Sequence, residues 1–371
     1  MPPLPLPLLL AALSLAAWIW GLLRRPPGFP PPEAPLANTR PTWFPLLGNY
    51  PGVCQLSKKL GSQYQTFTYL AQKYKSPVVG LRLGGDLTVI VSTRSLIREV
   101  LTRPEFEGWP QNFFAYLRSL GLRKVVDGKL WQEQRAFVMR HLRSLGFSGA
   151  QVGKEVRALL DVLNNSRGRP TQPISCWRPP CSTSSSNSVL KIIETHKATH
   201  TRGKKSDLID ALLSKMAKAK KEQNDNTTFT ESQLLILCYD MFTAGAETTS
   251  NSLRFAFLMM LRHPDVQERV HKEIKEAVGT DRLPTHEDRD RLKNNINKTG
   301  KFRDDDAFLP FGLGRRRCLG EHLAKCCLFQ MFTGILQKFQ LLPVDGTSLK
   351  YSTLEGVTLA PKTCDIIFKS C

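Results

Sequence analysis

Residues 308 to 325 read FLPFGLGRRRCLGEHLAK and hold one cysteine, Cys318, in a bend of glycines and arginines just ahead of a helical pattern. The dipole and free N–H groups at a helix start favour an anion, and Arg315, Arg316 and Arg317 add positive charge, so the surroundings favour an anionic sulfur. Gly312, Gly314 and Gly320 permit tight turns and leave room for something bulky to approach the backbone. A thiolate beside an open space, with arginines for acidic groups, suits a large anionic cofactor whose metal takes sulfur.

Two further motifs carry polar chemistry. In AGAETTS, Ala244 to Ser250, Gly245 costs a helix interior about 1 kcal/mol against alanine, which suggests a close approach to its backbone. Thr248 and Thr249 can return hydroxyls to carbonyls one turn earlier, and an acid beside an alcohol, Glu247 and Thr248, is what proton delivery requires. In WQEQR, Trp131 and Arg135 share one helix face at i and i+4. Each motif also has a plainer reading: a packed cysteine, a solvated Thr/Ser patch, a surface cation over a ring.

The elements that must position these residues are mainly helical. The hairpin signal SPVVGLRLGGDLTVIVST, 76 to 93, places Val78, Leu81 and Leu83 before Gly84–Gly85 and Val89 and Val91 after it, which predicts a small sheet. Helical patterns run over 60–74, 94–101, 130–145 and 207–221. The longest, Glu231 to Arg262, has a capping box at Thr230 and Gln233 and a stop at His263–Pro264. At 1.5 Å per residue it would be about 48 Å long. A second helix runs over 264–278, a last one over 319–339, and a strand-like tail closes the chain. TQPISCWRPPCSTSSSNS, 171 to 188, reads as loop or disorder, and 279–307 is almost wholly polar.

The chain has 371 residues, enough for one large domain or two ordinary ones. Its nine cysteines are odd in number, irregularly spaced and without a C-x-x-C pair, which argues against a disulfide framework or zinc site and for reduced thiols facing the cytosol. Cys326 and Cys327 read as packing residues of the last helix. Leu4 to Leu23 is twenty residues without a charge, closed by Arg24 and Arg25, and predicts an uncleaved membrane anchor over 1–25 with the rest of the chain in the cytosol. A proline-rich hinge over 26–48 follows as a semi-rigid spacer. The net charge of +20 is dispersed and no nucleic-acid module occurs, so an anionic membrane surface or acidic partner explains it better than nucleic acid.

Phe311, Gly314, Arg316, Cys318 and Gly320 match the FxxGxRxCxG signature of the cytochrome P450 family, and Ala324 matches its extension. The resemblance implies a mainly α fold with a small β-sheet, and haem b with Cys318 as axial thiolate, which favours O–O cleavage. It also implies that Phe311 packs beside the ligand, that Gly320 opens backbone N–H groups to the sulfur, and that Trp131, Arg135 and Arg316 meet haem propionates. Ala244 and Gly245 would lie over the haem, with Glu247 and Thr248 guiding protons.

The chain is roughly a quarter shorter than a full-length member, judged by length. The cytochrome P450 domain, 49–371, is therefore expected to be truncated, with gaps near 171–188 and 292–307. The substrate-roof helices are missing at the first and the ExxR helix region at the second; no ExxR occurs in the sequence. The implied activity is insertion of one oxygen atom from O2 into a small apolar substrate (xenobiotic, steroid, fatty acid or terpenoid). Electrons would come from NADPH-cytochrome P450 reductase, with cytochrome b5 as an optional second donor, at the endoplasmic reticulum membrane. Two rivals stand beside it: a haem-thiolate isomerase or dehydratase, which Glu247 and Thr248 oppose, and a non-catalytic, haem-free membrane-anchored form, which the missing ExxR favours.

Overall fold

The computed structural model describes residues 14, 47–108, 128–144, 149–165, 183–199, 207–223, 227–292, 308–346, 349, 353–354, 358–362 and 365–371. The chain divides into two compact units, Met1–Arg103 and Pro104–Cys371. Among the described residues no helix is long and apolar enough to cross a membrane. The anchor expected over 1–25 lies outside the described residues apart from Ser14, and so do most of the hinge and the tract 293–307.

The first unit holds α1 (Tyr50–Leu60), α2 (Gln63–Lys73), β1 (Val78–Leu83), β2 (Asp86–Val91) and α3 (Arg94–Thr102). The expected hairpin forms: Val78 faces Val91 and Leu83 faces Asp86 across the Gly84–Gly85 turn. Gly48 adopts φ +60, and a Cβ there would run into the Arg82 carbonyl, so the chain entering α1 can lie against β1 only with glycine. Asn49 then secures the contact, donating from its N–H to the Arg82 carbonyl at 2.6 Å and accepting from the Arg82 N–H at 2.7 Å. Val53, Leu70, Val79 and Leu81 form the small core of this unit.

The second unit holds α4 (Gly128–Ser144), α5 (Gly149–Asn165), α6 (Thr183–Thr199), α7 (Leu208–Lys221), α8 (Glu231–Arg262), α9 (Pro264–Ala277) and α10 (Glu321–Lys338). Four short strands follow: β3 (Phe339–Pro343) pairs with β6 (Ile366–Ser370), and β4 (Thr353–Leu354) with β5 (Ala360–Pro361), all antiparallel. The long helix begins where its cap predicts, with Thr230 Oγ1 accepting from the Gln233 N–H at 3.3 Å.

The main core joins α5, α8, α10 and the β3–β6 pair. Val152, Val156 and Leu160 meet Leu253, Phe257 and Leu261 of α8 and Met331, Ile335 and Leu336 of α10, with Phe339, Leu341, Ile366 and Phe368 below. Gly334 lets α5 and α10 approach closely, because a Cβ there would lie 2.9 Å from Val156 Cγ1. Gln267 of α9 satisfies the β3 backbone inside the core, accepting from the Leu341 N–H at 2.7 Å and donating to its carbonyl at 3.2 Å.

The stretch between Arg135 and Thr248 is richer than expected. The loop or disorder expected over 171–188 is corrected at its end, because 183–188 form the start of α6. Serine costs a helix only a few tenths of a kcal/mol relative to alanine, and Val189 and Ile193 supply a buried stripe against Leu212, Phe229 and Leu234 that stabilises the helix from outside the serine run. Helix α5 is an element beyond those expected from the sequence, although Val152, Val156, Leu160 and Leu163 recur at helical spacing and are all buried.

The polar stretch after α9 makes defined contacts over its described residues, 278–292. A 3₁₀ turn, His286–Asp290, is capped by Thr285 and Asp288. Asp288 accepts from both ends of the Arg282 guanidinium at 2.6 Å, which holds its carboxyl well below the usual range. Gln337 and Lys338 of α10 donate to the carbonyls of Gly279, Arg282 and Thr280. Leu292 is buried in the main core.

Candidate active site

The cysteine loop is shaped by its backbone. Gly312 and Gly314 sit at φ +71 and +67, a region that only glycine enters without strain. A 3₁₀ turn, Gly314–Arg316, follows, and the Cys318 N–H donates to the Phe311 carbonyl at 2.8 Å. The Cys318 thiol is exposed. Gly320 caps α10, its carbonyl accepts from the Ala324 N–H at 2.8 Å, and the space where its Cβ would stand is open.

Arg317 and Glu321 secure the loop to its helix with two bonds, Nε to Oε2 at 2.6 Å and Nη2 to Oε1 at 2.8 Å. Lys325 adds a third at 2.7 Å. The Arg317 and Lys325 bonds hold the Glu321 carboxyl down at about 2. Lys325 Nζ also lies 5.3 Å from the centroid of the Phe311 ring, so one lysine holds the Glu321 carboxylate within α10 and reaches across to the loop.

Trp131 and Arg135 come to this loop from α4. That helix is held by Gln134, which donates to the Thr228 carbonyl at 2.9 Å, and by Glu133, which accepts from the Thr228 hydroxyl at 3.1 Å. Arg135 Nη2 donates to the Arg317 carbonyl at 2.6 Å. Burial lowers the Arg135 guanidinium from its ordinary value, and Cys318 is near enough to oppose that shift. The Arg316 guanidinium lies 3.7 Å from the Trp131 ring centroid and donates twice to the Glu107 carbonyl, at 2.6 and 3.0 Å. Trp131, Arg135, Arg316 and Cys318 therefore form one cluster.

The α8 residues form a second group. Ala244, Gly245 and Thr248 are exposed, and no atom lies within 4 Å of where a Gly245 Cβ would be. Thr248 Oγ1 donates to the Ala244 carbonyl at 2.7 Å, and Ser250 and Ser252 make the same bond one turn back. The helix nevertheless continues unbroken to Arg262. Glu247 Oε1 accepts from the Thr358 hydroxyl at 2.9 Å and its N–H at 3.3 Å. Thr358 also accepts from Asn251 at 2.8 Å.

Glu107, Glu321 and Thr358 were not among the residues expected here. Glu321 was legible, since it stands four residues after Arg317. Glu107 and Thr358 are distant in sequence from the residues they bind and carry no local signal.

The cytochrome P450 family model matches this chain over residues 39–190, 180–294 and 293–368. "Probable cytochrome P450 305a1" of Drosophila melanogaster is 25% identical over 504 residues, covering 97% of this chain and 98% of the relative. "Farnesoate epoxidase" of Bombyx mori is 27% identical over 463 residues, covering 89% and 93%. Both alignments are longer than the 371 residues of this chain, so they include residues of the relatives with no counterpart here. A solved zebra fish cytochrome P450 structure with progesterone superposes with a TM-score of 0.68 at 24% identity, covering 82% of this chain and 98% of that one. On the extent of the family match, this chain belongs to the cytochrome P450 family of haem-thiolate monooxygenases, whose cofactor is haem b held by an axial cysteine thiolate.

Proposed function

We propose that Cys318 is the axial ligand and that the chain inserts one oxygen atom from O2 into a small apolar substrate at the cytosolic face of the endoplasmic reticulum. The observation that carries this reading is the cluster of an exposed Cys318 thiol with Trp131, Arg135 and Arg316. The rival thiol on α10, Cys326, is 1% exposed, and burial pushes it up, away from the thiolate form.

The residues present fit haem. Open space stands at both Gly245 and Gly320, where a side chain would obstruct a flat ring. Arg135 and Arg316 donate to backbone carbonyls, neutral acceptors that a carboxylate would replace with charge-assisted bonds. When bound, haem supplies the oxygen chemistry. The chain's own part is positional: the Cys318 N–H bond to Phe311 fixes the sulfur, Trp131 holds Arg316 flat, and Glu321 holds the loop to α10. On α8, Thr248 offers a hydroxyl on an exposed face, beside the carboxylate of Glu247 as proton donor or acceptor.

Electrons would enter on the basic side beside Cys318, where the Arg315, Arg317 and Lys325 side chains are 61, 56 and 40% exposed. An acidic flavoprotein reductase, NADPH-cytochrome P450 reductase, with cytochrome b5 as a second donor, matches that charge. The farnesoate epoxidase relative supports an apolar, terpenoid-like substrate class. Leu4 to Leu23 supplies the anchor and 26–48 the hinge.

A second reading, a haem-free form, is favoured by the relatives' residues that have no counterpart here and by the lack of an ExxR. One experiment separates the two. The full chain, purified from membranes, reduced and exposed to carbon monoxide, is expected to give the strongly red-shifted Soret band of thiolate ligation. Cys318→Ser should lose that band and Cys326→Ser keep it. Haem-free protein, or a red-shifted band persisting in Cys318→Ser, would overturn the proposal.

A further inference from the structure

The 3₁₀ turn His286–Asp290 lies against α10, and two imidazoles and a thiol converge where they meet. His322 and Cys326 share a face of α10 at i and i+4, with His322 Nε2 3.8 Å from Cys326 Sγ. The His286 ring stands edge-on to His322, centroids 5.5 Å apart at 86°, and edge-on to Phe329 at 6.4 Å. One ligand atom from each of His286, His322 and Cys326 lies within 4.8 Å of the others. His286 Nδ1 is buried without a hydrogen-bond partner, and the Cys326 thiol is almost wholly buried.

We propose that His286, His322 and Cys326 form a binding site for a soft divalent cation of the zinc type, which bolts the 3₁₀ turn to the helix that follows the Cys318 loop. Two imidazoles and one thiolate are a donor set that zinc takes in tetrahedral geometry. Ligand atoms of such a site stand about 3 to 4 Å apart given metal–ligand distances of roughly 2.0 to 2.3 Å, so the observed spacing needs only a small contraction. The exposed His322 leaves the fourth position to water.

The protonation states agree with this. Burial, with His322 and Arg289 nearby, lowers His286 from its ordinary value, the direction that favours the uncharged imidazole. Burial raises the Cys326 thiol, so the metal must displace its proton to solvent on binding. Arg289 opposes a cation here and Asp290 partly offsets it.

The comparable cluster of His196, Asp207 and Asp210 lacks this character. Both nitrogens of His196 are engaged, Nδ1 with the Ile192 carbonyl at 2.8 Å and Nε2 with Asp207 at 2.6 Å, and Asp207 already caps α7.

The consequence is structural. The chain contains no ExxR, the element that in this family braces the region supporting the haem. A metal joining His286 to α10 would brace the helix that follows the Cys318 loop.

The test is metal titration of the purified full chain after chelator treatment and dialysis, with Zn2+ for stoichiometry and Co2+ as a spectroscopic probe. One equivalent of Zn2+ is expected, with a thiolate-to-Co2+ charge-transfer band. That band should vanish in Cys326→Ser and persist in Cys318→Ser and Cys327→Ser. His322→Ala removes an exposed ligand with little risk to folding and should weaken Zn2+ binding at least about tenfold. Failure to retain Zn2+, a Co2+ band lost in Cys318→Ser, or wild-type affinity in His322→Ala would each overturn the proposal. None of these readouts depends on bound haem.

Discussion

The guanidinium carbon of Arg316 lies 3.7 Å from the centroid of the Trp131 ring, joining a helix near the start of the second unit to the cysteine loop near its end. The same guanidinium donates from Nε and Nη2 to the Glu107 carbonyl, and Arg135 from the same helix as Trp131 closes the loop through the Arg317 carbonyl. This contact links two motifs that the sequence leaves separate.

Trp131→Leu should therefore loosen haem without unfolding the chain. A cation over a ring contributes about 0.5 to 2 kcal/mol, so haem retention should fall by about 2-fold to about 30-fold. Trp131→Phe should keep part of it. Haem-to-protein ratio after gel filtration measures the effect, and unchanged retention in Trp131→Leu would show that the stack does not hold Arg316 for the cofactor.

Glu321 predicts an acid response with a definite sign. Its carboxyl, held at about 2 by Arg317 and Lys325 against an ordinary 4.5, stabilises the fold fully above the unfolded value. That stabilisation is lost as pH falls from about 4.5 through about 2. Denaturant titrations across this range should show the wild type losing its advantage over Glu321→Gln. A constant gap between the two chains at every pH would refute the assignment.

Thr248 and Glu247 should matter for turnover and little for cofactor retention. Thr248→Ala removes the hydroxyl that donates to Ala244, and Glu247→Gln removes the charge while keeping an acceptor for Thr358. Each should reduce product formed per reductant consumed, with rate losses of about 10²-fold or more if proton delivery runs through them. Wild-type coupling in both variants, with normal haem content, would leave them a structural role only.

Gly334 should resist even one carbon. Gly334→Ala places a methyl 2.9 Å from Val156 Cγ1 where α5 packs on α10, and overpacking of that kind costs about 1 to 3 kcal/mol. Val156→Ala in the same chain should return part of the loss, a coupling that a double-mutant cycle in denaturant would read. Additive effects would mean that the backbones, not the side chains, set the spacing.

Much of the site was legible because its chemistry is local. Cys318 with its glycines and arginines, Glu247 with Thr248, and Trp131 with Arg135 each fall within a few residues, where turn geometry and helix periodicity alone arrange them. The long helix, its Thr230 cap and the β1–β2 hairpin followed from the same short-range rules. Other features depended on packing. Helix α6 begins inside a serine run because Val189 and Ile193 find buried partners on α7 and α8, which no local preference specifies.

The sequence by itself determined the family, the setting of Cys318 in a glycine-rich bend before a helix, and the longest helices, since these rest on spacings that survive in one dimension. Only the tertiary structure decided that Arg316 lies on Trp131 and donates to Glu107, that Glu247 binds Thr358, and that His286 meets His322 and Cys326. Those relationships join residues remote along the chain, and they exist only because burial of the core brings the helices that carry them into contact.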